Sequence, residues 1–220
     1  MTQIPSPSFA VVDPRPMAQN AQYTFFLPHK VEIASVGVGD LVKLMFDYPH
    51  QTETWDAERM WVEIKDIDGE TLQGSLENIP DEPTSPLKKG DLISFKNSDI
   101  LAISWTNPAS APQPPECREY WDRCLVDDCV LEGEEPVEFI YREEPDMAQE
   151  GDKYPDSGWR VRGRMGDATN EEAEARKLQY VAIGAVLNRD DSWLHLIDSP
   201  IGSAFMRDFE TGIYKAAGSD

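Results

Sequence analysis

The chain of 220 residues carries 41 acidic residues against 20 lysines and arginines, a formal net charge of -21, with 40 % apolar and 28 % charged residues. Such a composition belongs to a folded soluble protein, long enough for one large domain or two small ones, and not to a disordered tail. So large a negative charge repels nucleic acid and anionic membrane, which argues against a direct binder of nucleic acid.

In chain order, residues 1–20 contain four prolines and neither the basic nor the apolar region of a signal peptide, so they are expected to be a loosely docked arm. From Tyr23 the pattern becomes strand-like: YTFFL, KVEIASV, LVKLMFD, RMWVEIKDI, ETLQGSLEN and DLISFKN. In RMWVEIKDI, Met60, Val62, Ile64 and Ile67 interleave with charged residues, the period-two signature of a half-buried strand. Asp68-Gly69 supplies a hairpin turn before the next strand, and Ser98–Ile103 suggests a helical turn capped by Ser98 or Asp99. These segments predict a small, mainly β domain over 21–105. NPASAPQPP then makes 106–115 a stiff, extended linker.

The second region, 116–220, is predicted to be α+β, so that the fold class is α+β with two small domains dominated by antiparallel β structure. Strands are expected at Cys124–Leu131, Pro136–Tyr141 and SGWRVRGRM, the last with Trp159, Val161, Gly163 and Met165 on one face and Arg160, Arg162 and Arg164 on the other. Thr169 or Asn170 caps a helix through EEAEARKLQY, while VAIGAVL either continues that helix or begins a buried strand. WLHLIDSPIGSAFMRD reads as a short strand or helical turn, a Ser-Pro loop and a closing strand.

The charge is uneven. Glu116–Asp152 holds 14 acids against three arginines, net -11, about half of the total in 37 residues. A solvated face or a surface for a cationic partner would both account for it.

Motifs for chemistry are missing. The three histidines, His29, His50 and His195, accompany no Gly-x-Ser-x-Gly elbow, and His195 among apolar neighbours reads as a packed, hydrogen-bonded residue. GVGDLV lacks the third glycine of a phosphate loop and leads into a strand. Cys117, Cys124 and Cys129 match no zinc spacing and no even disulfide framework; reduced thiols fit a cytoplasmic location. Asp66, Asp68 and Glu70 alternate as in a calcium loop but lack its glycine and closing glutamate. Neither catalysis, nor a cofactor, nor a metal site is expected, although a hydrolytic site assembled around His195 from distant residues stays open.

The segments YREEP (141–145), DSGWR (156–160) and the closing Leu196-Ile197-Asp198-Ser199-Pro200-Ile201-Gly202-Ser203-Ala204-Phe205-Met206-Arg207 resemble, in that order, the bacterial immunity-protein family numbered 33, formerly domain of unknown function 2185, over about 122–210. Residues 58–103 more weakly resemble domain of unknown function 2314. The resemblance implies an inhibitor of a cognate secreted toxin, without catalytic residues. It implies turn roles for Asp156, Gly158, Asp198, Pro200 and Gly202 and core roles for Trp159 and Phe205. Trp159 also stays open as a partner anchor beside the arginine strand. The partner would be a toxin with a basic cleft, such as a nuclease or nucleotide-targeting enzyme, and the expected contact surface is the acidic edge of Glu132, Glu134, Glu135, Glu143, Glu144 and Asp146. The three arginines are expected to pair with some of those acids at the surface. An adaptor or chaperone that loads a secreted effector is the alternative.

Overall fold

A computed structural model describes residues 9–49, 52–147 and 151–218. The chain forms two compact units, one of Met1–Asn20 and Phe25–Cys117, the other of Ala21–Thr24 and Arg118–Asp220. Both are built on mainly antiparallel sheets with short helices, an α+β architecture.

The first unit runs β1 (Ala10–Val11), α1 (Arg15–Asn20), α2 (Lys30–Ile33), β2 (Leu41–Asp47), β3 (Ala57–Asp68), β4 (Thr71–Leu76), β5 (Leu92–Lys96) and β6 (Ala102–Ser104). The strand order is β1-β2-β3-β4-β5, with β6 also paired to β2, all antiparallel. Alternate residues build its core: Val42, Leu44 and Phe46, then Met60, Val62 and Ile64, with Leu72, Leu76, Ile93 and Phe95. Ile67 breaks the period because a bulge inserts Lys65 between the pairs Ile64–Gly74 and Asp66–Gln73. The bulge brings Ile67 opposite Leu72, where it stays 39 % exposed. The hairpin loop is Gly69 and Glu70, with Gly69 at φ 61°.

Several expectations for this unit change. Residues 9–20 are not a loose arm: Val11 pairs with Phe46 and the Phe9 ring packs 6.1 Å from that of Phe46. Residues 1–8 lie outside the described part. YTFFL is turn and irregular chain, not strand, and its first two residues belong to the second unit. KVEIASV starts as a helical turn because His29 Nδ1 accepts from Val31 N (3.3 Å) while His29 N donates to Glu32 (2.7 Å). After β5 the turn is a single 3-10 turn, Asn97–Asp99, closed by Lys96 N donating to Asp99, and a strand follows at once. Within 106–115 there is one further 3-10 turn, Pro108–Ser110, and the first unit extends to Cys117.

The second unit runs β7 (Arg123–Asp127), α3 (Asp128–Glu132), β8 (Val137–Arg142), β9 (Asp156–Gly163), α4 (Asn170–Glu174), β10 (Leu178–Ala182), α5 (Ile183–Leu187), β11 (Ala204–Arg207) and β12 (Tyr214–Ala216). Its order is β10-β7-β9-β8-β11-β12, antiparallel except for β7 beside β9. Trp159, Val161, Ile140, Val126 and Cys124 join Ile183, Val186, Leu187 and Trp193 in one core. The expected strand at 124–131 stops at Asp127, where the chain turns into α3 and ends on Gly133 at φ 76°. The helix after Thr169 is five residues long, and VAIGAVL divides: a strand to Ala182, then α5.

Residues 21–24 are stitched into this unit. Tyr23 N donates to Asn188 Oδ1 (2.9 Å), its hydroxyl donates to Asp191 (2.7 Å), and Asn188 Nδ2 donates to Thr24 Oγ1 (2.7 Å). Gly184 packs so closely below that a Cβ there would lie 2.5 Å from the Tyr23 carbonyl oxygen.

Candidate functional site

The second unit is organised around β9, which lies between β7 and β8 and is buried on both faces from Asp156 through Val161. Its first residues are a folding device. Asp156 accepts backbone N–H bonds from Gly158 (3.0 Å), Asp146 (3.2 Å) and Met147 (3.2 Å). Ser157 Oγ donates to Arg123 O (2.7 Å) and accepts from Trp159 N (3.2 Å). Gly158 has φ 81°, and a Cβ there would stand 2.1 Å from the Glu143 carbonyl oxygen. Trp159 is 1 % exposed; its indole donates to Ile197 O (3.2 Å) and meets Trp193 edge to face. The core role expected of Trp159 is the one it has, and the alternative of a partner anchor falls because a buried indole offers a partner no surface.

Arg160 does not face solvent. It is 3 % exposed and its guanidinium bonds Asp156 through Nη1 (3.0 Å) and Nη2 (3.1 Å), Glu143 through Nε (2.5 Å) and Asp146 through Nη2 (2.6 Å). Burial alone would lower its pKa, but Asp156 and Glu143 outweigh burial and raise it. Burial would likewise raise the pKa of Asp156, and the Arg160 and Gly158 bonds outweigh it, holding the carboxyl below its ordinary value.

The acids expected to form one edge are thereby divided. Glu135 and Glu143 flank β8, eight residues apart, roughly 25 Å at about 3.3 Å per residue. At the far end Glu143 and Asp146 serve Arg160, leaving Glu144 exposed beside them. At the near end Glu132 and Glu134 are exposed and Glu135 half-buried, and none of the three is in an ion pair among the described residues.

That near end carries a second charged centre, missed from the sequence. Asp127, fully buried, accepts from Gly163 N (3.0 Å) and pairs with Arg162 (2.9 Å) and Arg176 (3.4 Å). Arg162 thus pairs, but with Asp127 and not with the expected acids; Arg164 lies over the Phe209 ring at 4.6 Å. The arginines at alternate positions were the available signal, whereas Arg176 comes from a distant loop. The pair borders a cleft of about 230 Å³ lined with Glu138, Phe139, Met165 and Met206.

Groups suited to chemistry are dispersed. His195 is exposed, near Tyr214, and not packed in the core as expected, while His29 caps α2; His50 lies outside the described residues. None of the three cysteines forms a disulfide, and burial pushes the Cys124 thiol up to about 12, far from a nucleophile's range. Among the described residues no group of three His, Cys, Asp or Glu side chains is placed to hold a metal, and no helix is long and apolar enough to cross a membrane.

The second unit thus presents a buried scaffold strand with exposed acids clustered at one of its ends. Residues 124–217 match the family described as Immunity protein Imm33 domain, and residues 18–107 match an uncharacterized protein family conserved in bacteria, DUF2314. The second unit carries an Imm33 immunity-protein domain, and the first a DUF2314 domain. No curated protein and no solved structure matches the chain.

Proposed function

We propose that the protein neutralises a cognate toxin by stoichiometric binding, without turnover or cofactor, and that the contact is made at the Glu132–Glu135 end of the Imm33 domain. The observation that carries this reading is the immunity domain at 124–217 together with Glu132 and Glu134, exposed on it and in no ion pair among the described residues. Unpaired surface carboxylates attract a basic surface at long range and speed encounter. The adjoining Phe139, Met165 and Met206 cleft offers apolar contact that charge alone lacks. A toxin with a basic cleft for nucleic acid or nucleotide, acting in the cytoplasm, fits this surface, and a carboxylate-rich inhibitor seated in that cleft excludes the anionic substrate.

The test is a pull-down of the tagged protein from its native cells at moderate salt, followed by an activity assay on what is retained. One toxin-like polypeptide in about equal amount, inactive when bound and released by Glu132→Lys with Glu134→Lys, supports the reading. A retained toxin that stays fully active makes the protein an adaptor or chaperone instead.

A further inference from the structure

The first unit presents two exposed apolar side chains at a polar notch on a fixed platform. Trp55 is 54 % exposed and Ile79 is 78 % exposed, and both line one concavity of about 190 Å³ whose walls also include Glu58, Arg59, Asn78 and Asp81. Neither is left there by a floppy loop. Glu82, 2 % exposed, accepts N–H bonds from Glu53 (2.9 Å), Thr54 (2.8 Å) and Trp55 (2.8 Å), the backbone that carries the indole. On the other wall Asn78 Oδ1 accepts from Trp61 N (2.7 Å), and Asp81 N donates to Glu58 (2.5 Å), tying the Ile79 turn to β3. A buried carboxylate that spends three bonds on fixing an exposed tryptophan holds it ready for contact at little ordering cost, the arrangement found where one aromatic anchors an interface.

The surroundings choose the occupant. Around the notch Glu53, Asp56 and Asp81 are exposed and Glu58 is half-buried, against the cation Arg59, while Glu82 is buried on backbone N–H groups and Glu77 pairs with Lys89 (3.3 Å). A second copy of a chain carrying -21 would bring the same acids to face their like. We infer that the Trp55–Ile79 notch is a docking site for a cationic segment of another protein that inserts an apolar side chain flanked by lysine or arginine. This site lies on the DUF2314 domain and does not depend on where the Imm33 domain meets a toxin.

The test is selection of a phage-displayed library of short random peptides on the immobilised full-length protein, with each enriched peptide then measured by fluorescence anisotropy. Enriched peptides should carry an apolar residue next to lysine or arginine and lose about tenfold or more in affinity on Trp55→Ala or Ile79→Ser. They should bind normally to Leu92→Ala, which alters an apolar side chain 73 % exposed elsewhere on this unit, and to Glu132→Lys with Glu134→Lys. An unchanged melting temperature in Trp55→Ala shows that the platform is intact. The inference is overturned if no Trp55-dependent peptide is recovered, if enriched peptides lack basic residues, or if sedimentation reveals a dimer that Trp55→Ala dissociates.

Discussion

The Arg160 guanidinium grips the Asp156 carboxylate with two bonds, of 3.0 and 3.1 Å, from four residues along the same strand, and both side chains are buried. Removing Arg160 leaves the buried Asp156 carboxylate with backbone N–H donors but without its opposite charge. Arg160→Met should therefore lower the stability of the Imm33 unit by about 3–5 kcal/mol, whereas Arg160→Met combined with Asp156→Asn should recover part of the loss. Urea unfolding followed by Trp159 and Trp193 fluorescence checks both.

The same pair sets an acid limit. Asp156 has its folded pKa depressed, so its contribution is fully present above the unfolded carboxyl value of about 3.9 and is lost as pH falls below that towards the folded value. The melting temperature of the wild type should drop as pH falls below about 4. Asp156→Asn should melt lower at neutral pH and depend less on pH across that window; a parallel curve would remove Asp156 from the account.

Trp159 is a core residue, and its variants should behave accordingly. Trp159→Ala should cost about 3–5 kcal/mol, and Gly158→Ala, which meets the Glu143 carbonyl at positive φ, about 2–4 kcal/mol. Trp159→Phe, folded at low temperature, should retain toxin affinity. Calorimetry on the purified variants separates these effects.

Charge reversal distinguishes the two ends of β8. Glu132→Lys with Glu134→Lys should weaken toxin binding about tenfold or more and leave thermal stability within about 0.5 kcal/mol. Glu143→Lys should destabilise the unit, because it faces Arg160 at 2.5 Å. If Glu144→Lys alone abolishes binding, the interface lies at the opposite end.

Much of the strand pattern was legible because alternation survives wherever one face is wet: Met60, Val62 and Ile64 point inward as their spacing demands. The limits appear where a segment is buried on both faces. Alternation in Trp159-Arg160-Val161-Arg162 suggested a solvated arginine face, but β9 is a central strand, and its Arg160 is covered by a segment ten or more residues earlier in the chain. Short apolar runs such as VAIGAVL carry no period long enough to show that a strand becomes a helix at Ile183. Asp127 was visible only as one acid among many, since its partners Arg162 and Arg176 are brought to it by β9 and a distant loop. The division of the acidic edge was itself legible, because the strand expected at Pro136–Tyr141 and found at Val137–Arg142 already separates Glu135 from Glu143; what the sequence did not show is that Glu143 and Asp146 fold over Arg160.

Residues 21–24 fall inside the DUF2314 match yet complete the other unit, through Tyr23 on Asn188 and Asp191. The two modules are consequently not interchangeable beads. A recombination event that joined this Imm33 segment to a foreign leading half would leave Asn188 and Gly184 uncovered unless the newcomer carried an equivalent four-residue clip, so inheritance of the immunity module is coupled to a sequence nearly a hundred residues before it.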